Sequence, residues 1–259
     1  MFLREFEIQA QTPVRDIVKM DYRTAEVFRT HGITYCCGGK WPLDIACQAR
    51  GVDMEKVKEE LLAASRTISM KPQVNYNDWT VSFLIDYLVN LHHAYLRKEL
   101  PILKEMLSAF VTEHIKKYPH LAEVQQLFNR LSHELMTAAD REEELIFPYI
   151  KQLVHVHKHK EPYAPLLIKT LRKPVEDALQ KSDDLALKLI HSLRELTDKY
   201  STPENACLTH TVLLARLKDL DNDIAQHLFL EQKVLFPKVI GIEKEVMKSP
   251  PDVHSHTTN

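Results

Sequence analysis

Glycine is scarce here, five in 259 residues, and that argues against the hairpins and tight strand connections that lean on it. Charge of one sign is lacking too. The net charge is −2 at neutral pH, with both signs interspersed and no basic stripe, which speaks against nucleic acid as a partner. No apolar run is long enough to span a bilayer, so no membrane partner is expected. The opening MFLREFEIQAQTP lacks the apolar middle of a signal peptide, and a cytoplasmic location is the expectation. Four cysteines (Cys36, Cys37, Cys47 and Cys207) are too few for a secreted disulfide framework in a chain this size. What is abundant is Leu, Glu and Lys, the composition of long helices.

The chain divides by the length of its apolar periods. Residues 1–66 read as a small helical module. A helix entered through Thr12 and Pro13 stops at Gly32. Tandem Gly38 and Gly39 then follow Cys36-Cys37 in a tight turn, and two more helices run from Pro42 and from Asp53. Residues 67–78 are polar and aperiodic, a linker. From residue 79 to 246 the pattern predicts four long helices: 80–117 with Pro101 inside it, a second to about 153, 174–200, and a fourth capped by Thr202-Pro203-Glu204. The His-rich segment 151–165 reads as an exposed connector, and 247–259 as a disordered tail. The fold expected is all-α, an antiparallel four-helix bundle behind the small module.

Polar residues interrupt the apolar stripes of this bundle. The stripe of the last helix (Leu213, Leu217, Leu220, Ile224, Val234, Leu235) is broken by His227 and Glu231, four residues apart and so on one face. Upstream, Glu142 continues the stripe Leu131, Leu135, Ala138, Leu145, Tyr149. Aligning Phe147-Pro148 on Phe236-Pro237 puts Glu142 opposite Glu231, 89 residues apart, and Ala138 opposite His227 at the same spacing. His93 lies on the stripe of the first helix, with Asp183 90 residues further on. An unpaired carboxylate inside a core costs several kcal/mol, so such residues need a cation, a network or a metal. Imidazole and carboxylate together suit iron, manganese or zinc, and bundle cores hold carboxylate-bridged di-metal sites. His93, Glu142, His227 and Glu231 are therefore the candidate ligands. His92 is one residue off the stripe and could replace His93 only if the helix rotates. Cys36-Cys37 beside Lys40 are candidate reactive thiols, with pKa values lowered at the turn. Cys47 and Cys207 read as packing residues, and the histidines of HVHKH, 155–159, as part of a solvated linker.

The segments Tyr35-Cys36-Cys37-Gly38-Gly39-Lys40, His92-His93 with Arg97 and Pro101, EEELIFP at 142–148, LRELT at 193–197, PENAC at 203–207 and HLFLEQKVLFP at 227–237 carry a resemblance that covers nearly the whole chain. The sequence resembles the iron–sulfur cluster repair di-iron proteins (RIC, repair of iron centres), which join a short cysteine domain to a hemerythrin-like bundle. The resemblance implies a non-haem di-iron centre held by four histidines and two bridging glutamates. Carried over position by position, the ligands are His93, Glu142, His227 and Glu231, with the other two histidine positions falling on Ala138 and Asp183. Alanine ligates nothing; Asp183 is a carboxylate that iron accepts. Two irons, a single iron or other divalent metal, or an empty site all follow from that loss, ranked in that order.

The activity the resemblance implies is repair of iron–sulfur clusters damaged by oxidative or nitrosative stress, with damaged iron–sulfur proteins as partners and Cys36 and Cys37 as the reactive pair. Whether this amounts to enzymatic turnover stays open. The alternatives are an O2- or NO-binding sensor or carrier, and a metal-depleted interaction protein. A homodimer is compatible with either class.

Overall fold

The structure, a computed structural model, describes residues 8–36, 39–65 and 75–248, and their side chains except those of residues 173–184. Every regular element among the described residues is helical, apart from one isolated bridge between Pro13 and Pro42. The chain forms two compact units. One takes the residues before Asn75 together with Tyr200–Lys218; the other takes Asn75–Lys199 and the residues from Asp219 onward. The start of the fourth long helix, assigned to the bundle by its periodicity, thus clusters with the N-terminal module.

In the first unit, α1 (Val14–Met20) and α2 (Thr24–Thr30) replace the single helix expected there. The break has a local cause. Asp21 is extended, and its carboxylate accepts from the backbone N–H of Arg23 at 3.0 Å and from its guanidinium at 2.9 Å. A short acidic side chain that bonds its own neighbourhood competes with the helix ladder. α3 (Leu43–Arg50) and α4 (Met54–Ser65) follow, with Asp53 accepting from Glu55 N–H at 2.8 Å at the start of α4. Ile17, Phe28, Leu43, Val57 and Leu61 make the core. The turn before α3 needs glycine: a Cβ on Gly39 would lie 2.2 Å from the Tyr35 carbonyl oxygen. Cys37 and Gly38 lie outside the described residues.

The second unit holds the four-helix bundle, apart from the part of its fourth helix before Asp219. Its first helix is α5 (Val81–Tyr87), a π-helical turn (Leu88–His93) and α6 (Ala94–His114). Its second is α7 (Leu121–Arg141), a π-turn (Glu142–Ile146) and α8 (Phe147–His159). The third, α9, spans Ala164–Leu196. The fourth is α10 (Leu208–Phe229), a π-turn (Leu230–Leu235) and α11 (Phe236–Lys248). Short connections make neighbours antiparallel. The supposed connector 151–165 is mostly helix: Leu153 and Val156 are buried, so α8 continues through the histidines to Lys160, which ends it in the left-handed region at φ 53°. Of the expected linker, residues 67–74 lie outside the described part, as does the tail beyond Lys248.

Each π-turn widens the helix by one residue and changes which side chains face inward. On the second helix Leu145, expected in the core, is 40% exposed, and Ile146 is buried instead. Two of these turns have a cause in the sequence. Pro148 and Pro237 lack an N–H, so the carbonyls four residues earlier lose their α-helical donor. The i→i+5 pattern lets the next residue along serve them. Packed around the turns are Leu84, Leu88, Phe147, Ile150, Leu230 and Val234, which form the core at that end of the bundle.

Candidate metal centre

The three π-turns carry His93, Glu142 and Glu231, and His227 lies on α10 just before the third. His93 is fully buried, Glu142 is 5% exposed, His227 6% and Glu231 1%. His93 Nε2 stands 3.0 Å from Glu142 Oε2. His227 Nε2 is 3.6 Å from the same oxygen and 3.3 Å from Glu231 Oε1. Ligand atoms of His93, Glu142 and His227 all fall within 4.8 Å of one another. His93, Glu142 and His227 are thus brought together, and Glu231 joins them through its contact with His227, two imidazoles and two carboxyl groups, all buried.

The electrostatics follow from burial and mutual contact. Burial pushes the Glu142 carboxyl up, but the close imidazole of His227 and the hydrogen bond with His93 outweigh it and hold the group at about 2. For His227 burial works downward, and the attraction of the Glu231 and Glu142 carboxylates beside it reverses that, leaving the imidazole well above its ordinary value. Without a metal, a proton on His227 therefore compensates one of the two carboxylates. A divalent cation that displaced that proton would compensate both, so the donor set fits such an ion in charge as well as in chemistry.

A second layer orients His93. Its Nδ1 lies 2.7 Å from Glu143 Oε1, and Glu143 accepts from Arg97 Nη1 at 2.7 Å. Arg97 also donates to Asp140 at 3.0 Å. An imidazole that gives Nδ1–H to a carboxylate keeps the lone pair of Nε2 for a metal. This brace had no signal in the interrupted stripes, because Glu143 and Arg97 sit on the polar side of their helices.

Other sequence expectations fare differently. Ala138 is half-buried and offers no donor, and the side chain of Asp183 lies outside the described ones. His92 does not replace His93: both are fully buried on the π-turn, and the ligand cluster takes His93. His155 and His159 are exposed on α8 with rings 4.5 Å apart, while His157 turns to Glu245 at 2.9 Å, so the His-x-His spacing does not converge. Cys47 is buried in the first unit, as a packing residue should be. Cys207 is not one. Its thiol is hydrogen-bonded to that of Cys36, while Tyr35 bonds Thr209, so the chain before the glycine turn runs beside 207–209. Burial pushes the Cys207 thiol up; a backbone bond at His210 works against that, and neighbouring Cys36 adds to the rise.

Among the described residues no helix is long and apolar enough to cross a membrane. Residues 10–65 match a domain of unknown function (DUF542), and residues 84–239 match the hemerythrin HHE cation binding domain. Among curated proteins the chain is similar to the iron–sulfur cluster repair protein ScdA of Staphylococcus haemolyticus, 27% identical over 231 residues that make up 89% of this chain and 99% of that protein. The ScdA of Staphylococcus epidermidis RP62A is 26% identical over 227 residues, 87% of this chain and 96% of the relative. The iron–sulfur cluster repair protein YtfE of Escherichia coli O157:H7 is 25% identical over 234 residues, 89% and 97%. With a match that covers two of the bundle's four helices entirely, most of the other two and all four candidate ligands, the chain belongs to the hemerythrin HHE cation-binding family.

Proposed function

We propose that this protein repairs iron–sulfur clusters damaged by oxidative or nitrosative stress, working in the cytoplasm with iron held in the bundle. The observation that carries the reading is the buried set His93, Glu142 and His227, with ligand atoms within 4.8 Å, in a chain whose relatives are named for that repair. His93, Glu142, His227 and Glu231 would hold the iron. Bound there, iron supplies a redox-active cation that can be delivered to a client protein. The protein's own residues do the rest. Glu143, itself held by Arg97, would keep a proton on Nδ1 of His93 and leave Nε2 to the cation. Glu142, ionised down to about 2, is ready to bridge or ligate at any physiological pH. The core of Leu88, Phe147 and Leu230 keeps water from the carboxylates. In the first unit the Cys36 thiol, hydrogen-bonded to Cys207, offers soft donors suited to accepting or passing on iron. Damaged iron–sulfur proteins are the partners this implies.

The test is a client enzyme whose cluster has been damaged by peroxide or NO. Iron-loaded protein should restore its activity, whereas the Glu231→Gln variant and ferrous salt at equal iron should not. Equal recovery with ferrous salt alone would overturn the reading.

A further inference from the structure

The outer two histidines of HVHKH lie four residues apart, and the helix they turn out to occupy gives that spacing a meaning. α8 runs unbroken through them, because Leu153 and Val156 anchor its inner face in the core. On a helix, residues i and i+4 stand one above the other with Cβ atoms about 5–6 Å apart. His155 and His159 are therefore neighbours on the outer face, both exposed, with ring centroids 4.5 Å apart. His157 points elsewhere and is engaged with Glu245 at 2.9 Å. The outer pair has no such partner. Among the described residues neither His155 nor His159 takes part in a hydrogen bond or an ion pair, so their ring nitrogens are open to another ligand.

The separation suits a particular chemistry. A metal–nitrogen bond of about 2.0–2.1 Å puts an ion roughly 3.2 Å from an imidazole centroid, so two imidazoles bound at a right angle have centroids about 4.5 Å apart. Right-angle neighbours are what a tetragonal Cu(II) site requires. The two rings are tilted by 44° rather than laid face to face. Being exposed, they turn about their side-chain torsions to bring one in-plane nitrogen each to a common point. Two histidines four apart on one helix face are also the spacing with which helices bind zinc. Affinity for such a pair of nitrogens rises from Fe(II) to Cu(II) and falls again at Zn(II). The pair is separate from the buried centre, since His155 lies 13 residues beyond Glu142, roughly 20 Å along the helix.

We propose that His155 and His159 form a second metal site, on the surface of α8, that takes a late divalent transition metal through both imidazoles, Cu(II) in preference to Zn(II). The site stands independently of the repair reading, because none of its residues belongs to the buried centre. A carboxylate-rich centre suited to iron and an imidazole pair suited to copper or zinc thus coexist on one chain.

The probe is Cu(II) added to the full chain in excess glycine, a competing chelator, with electron paramagnetic resonance reading the nitrogens on the bound ion. Wild type should hold a Cu(II) whose spectrum carries two imidazole nitrogens. His155→Ala and His159→Ala should each weaken that site at least about tenfold, because the second imidazole no longer binds within the same molecule. Alanine is a strong helix former, so both variants keep α8, which circular dichroism checks. His157→Ala should leave the Cu(II) signal as it is. The same Cu(II) affinity in wild type, His155→Ala and His159→Ala would overturn the proposal, and so would an equal loss in His157→Ala.

Discussion

Four side chains decide what this protein can hold, and each is legible through the energy of leaving it alone. Glu142 and Glu231 are acidic residues at apolar positions, which the interrupted stripes reveal without any structure. Replacing either by Gln keeps the shape and removes the charge, so bound iron should fall by more than about tenfold in each variant, read by metal analysis after desalting. Retention of iron in both would mean that the ligands lie elsewhere. Glu143→Ala acts one layer out. It frees the Nδ1 of His93, and iron affinity should weaken about 10–100-fold with no change in helix content. The metal-free protein should also show the charges. Glu142 is lowered from 4.5 to about 2, so its contribution to stability is present above pH 4.5 and is lost as pH falls toward 2. His227 is raised above 6.5, so its contribution is full below pH 6.5 and is lost as pH climbs through the raised value. Thermal midpoints of the apo-protein should therefore decline on both sides of roughly pH 4.5–6.5, and His227→Gln should flatten both slopes. A midpoint that rises steadily to pH 8 would contradict this pairing.

At the scale of elements, periodicity located the helices of the bundle and missed the turns that make the site. A stripe counted at 3.6 residues places His93 inside and His92 aside. The π-turn at Leu88–His93 admits both, and no proline or glycine in that stretch announces it. The turns at Glu142–Ile146 and Leu230–Leu235 did leave a mark in the repeated Phe-Pro pairs, whose missing donor is the physical reason for the wider turn. The same omission explains why Leu145 was expected in the core. The module's first helix broke at Asp21 because a local carboxylate bond beat the ladder, an effect periodicity does not weigh. Deleting Leu91, which is 49% exposed inside the first π-turn, should restore an ordinary helix there and swing a histidine away. Far-UV circular dichroism should stay nearly constant while iron binding falls steeply. Unchanged iron binding would show that the π-turn does not set the ligand geometry.

For the molecule as a whole, the two units differ in what the sequence could tell. The bundle announces its chemistry through buried charge, whereas the neighbouring thiols of Cys36 and Cys207 lie 171 positions apart and have no pattern to join them. Metal links the bundle's site to its stability. At free iron about 100 times the dissociation constant, binding adds about 2.7 kcal/mol to the folded state. That should raise the thermal midpoint by roughly 5–10 °C in a domain of this size, a shift that calorimetry reads and His227→Gln should abolish. The most direct measurement of the central claim is the iron content of the full chain, loaded anaerobically with Fe(II) and passed through a desalting column. The account predicts about one to two irons per chain, and almost none in a double Glu142→Gln, Glu231→Gln variant that remains helical. A wild-type chain that emerges as iron-free as the double variant would contradict it.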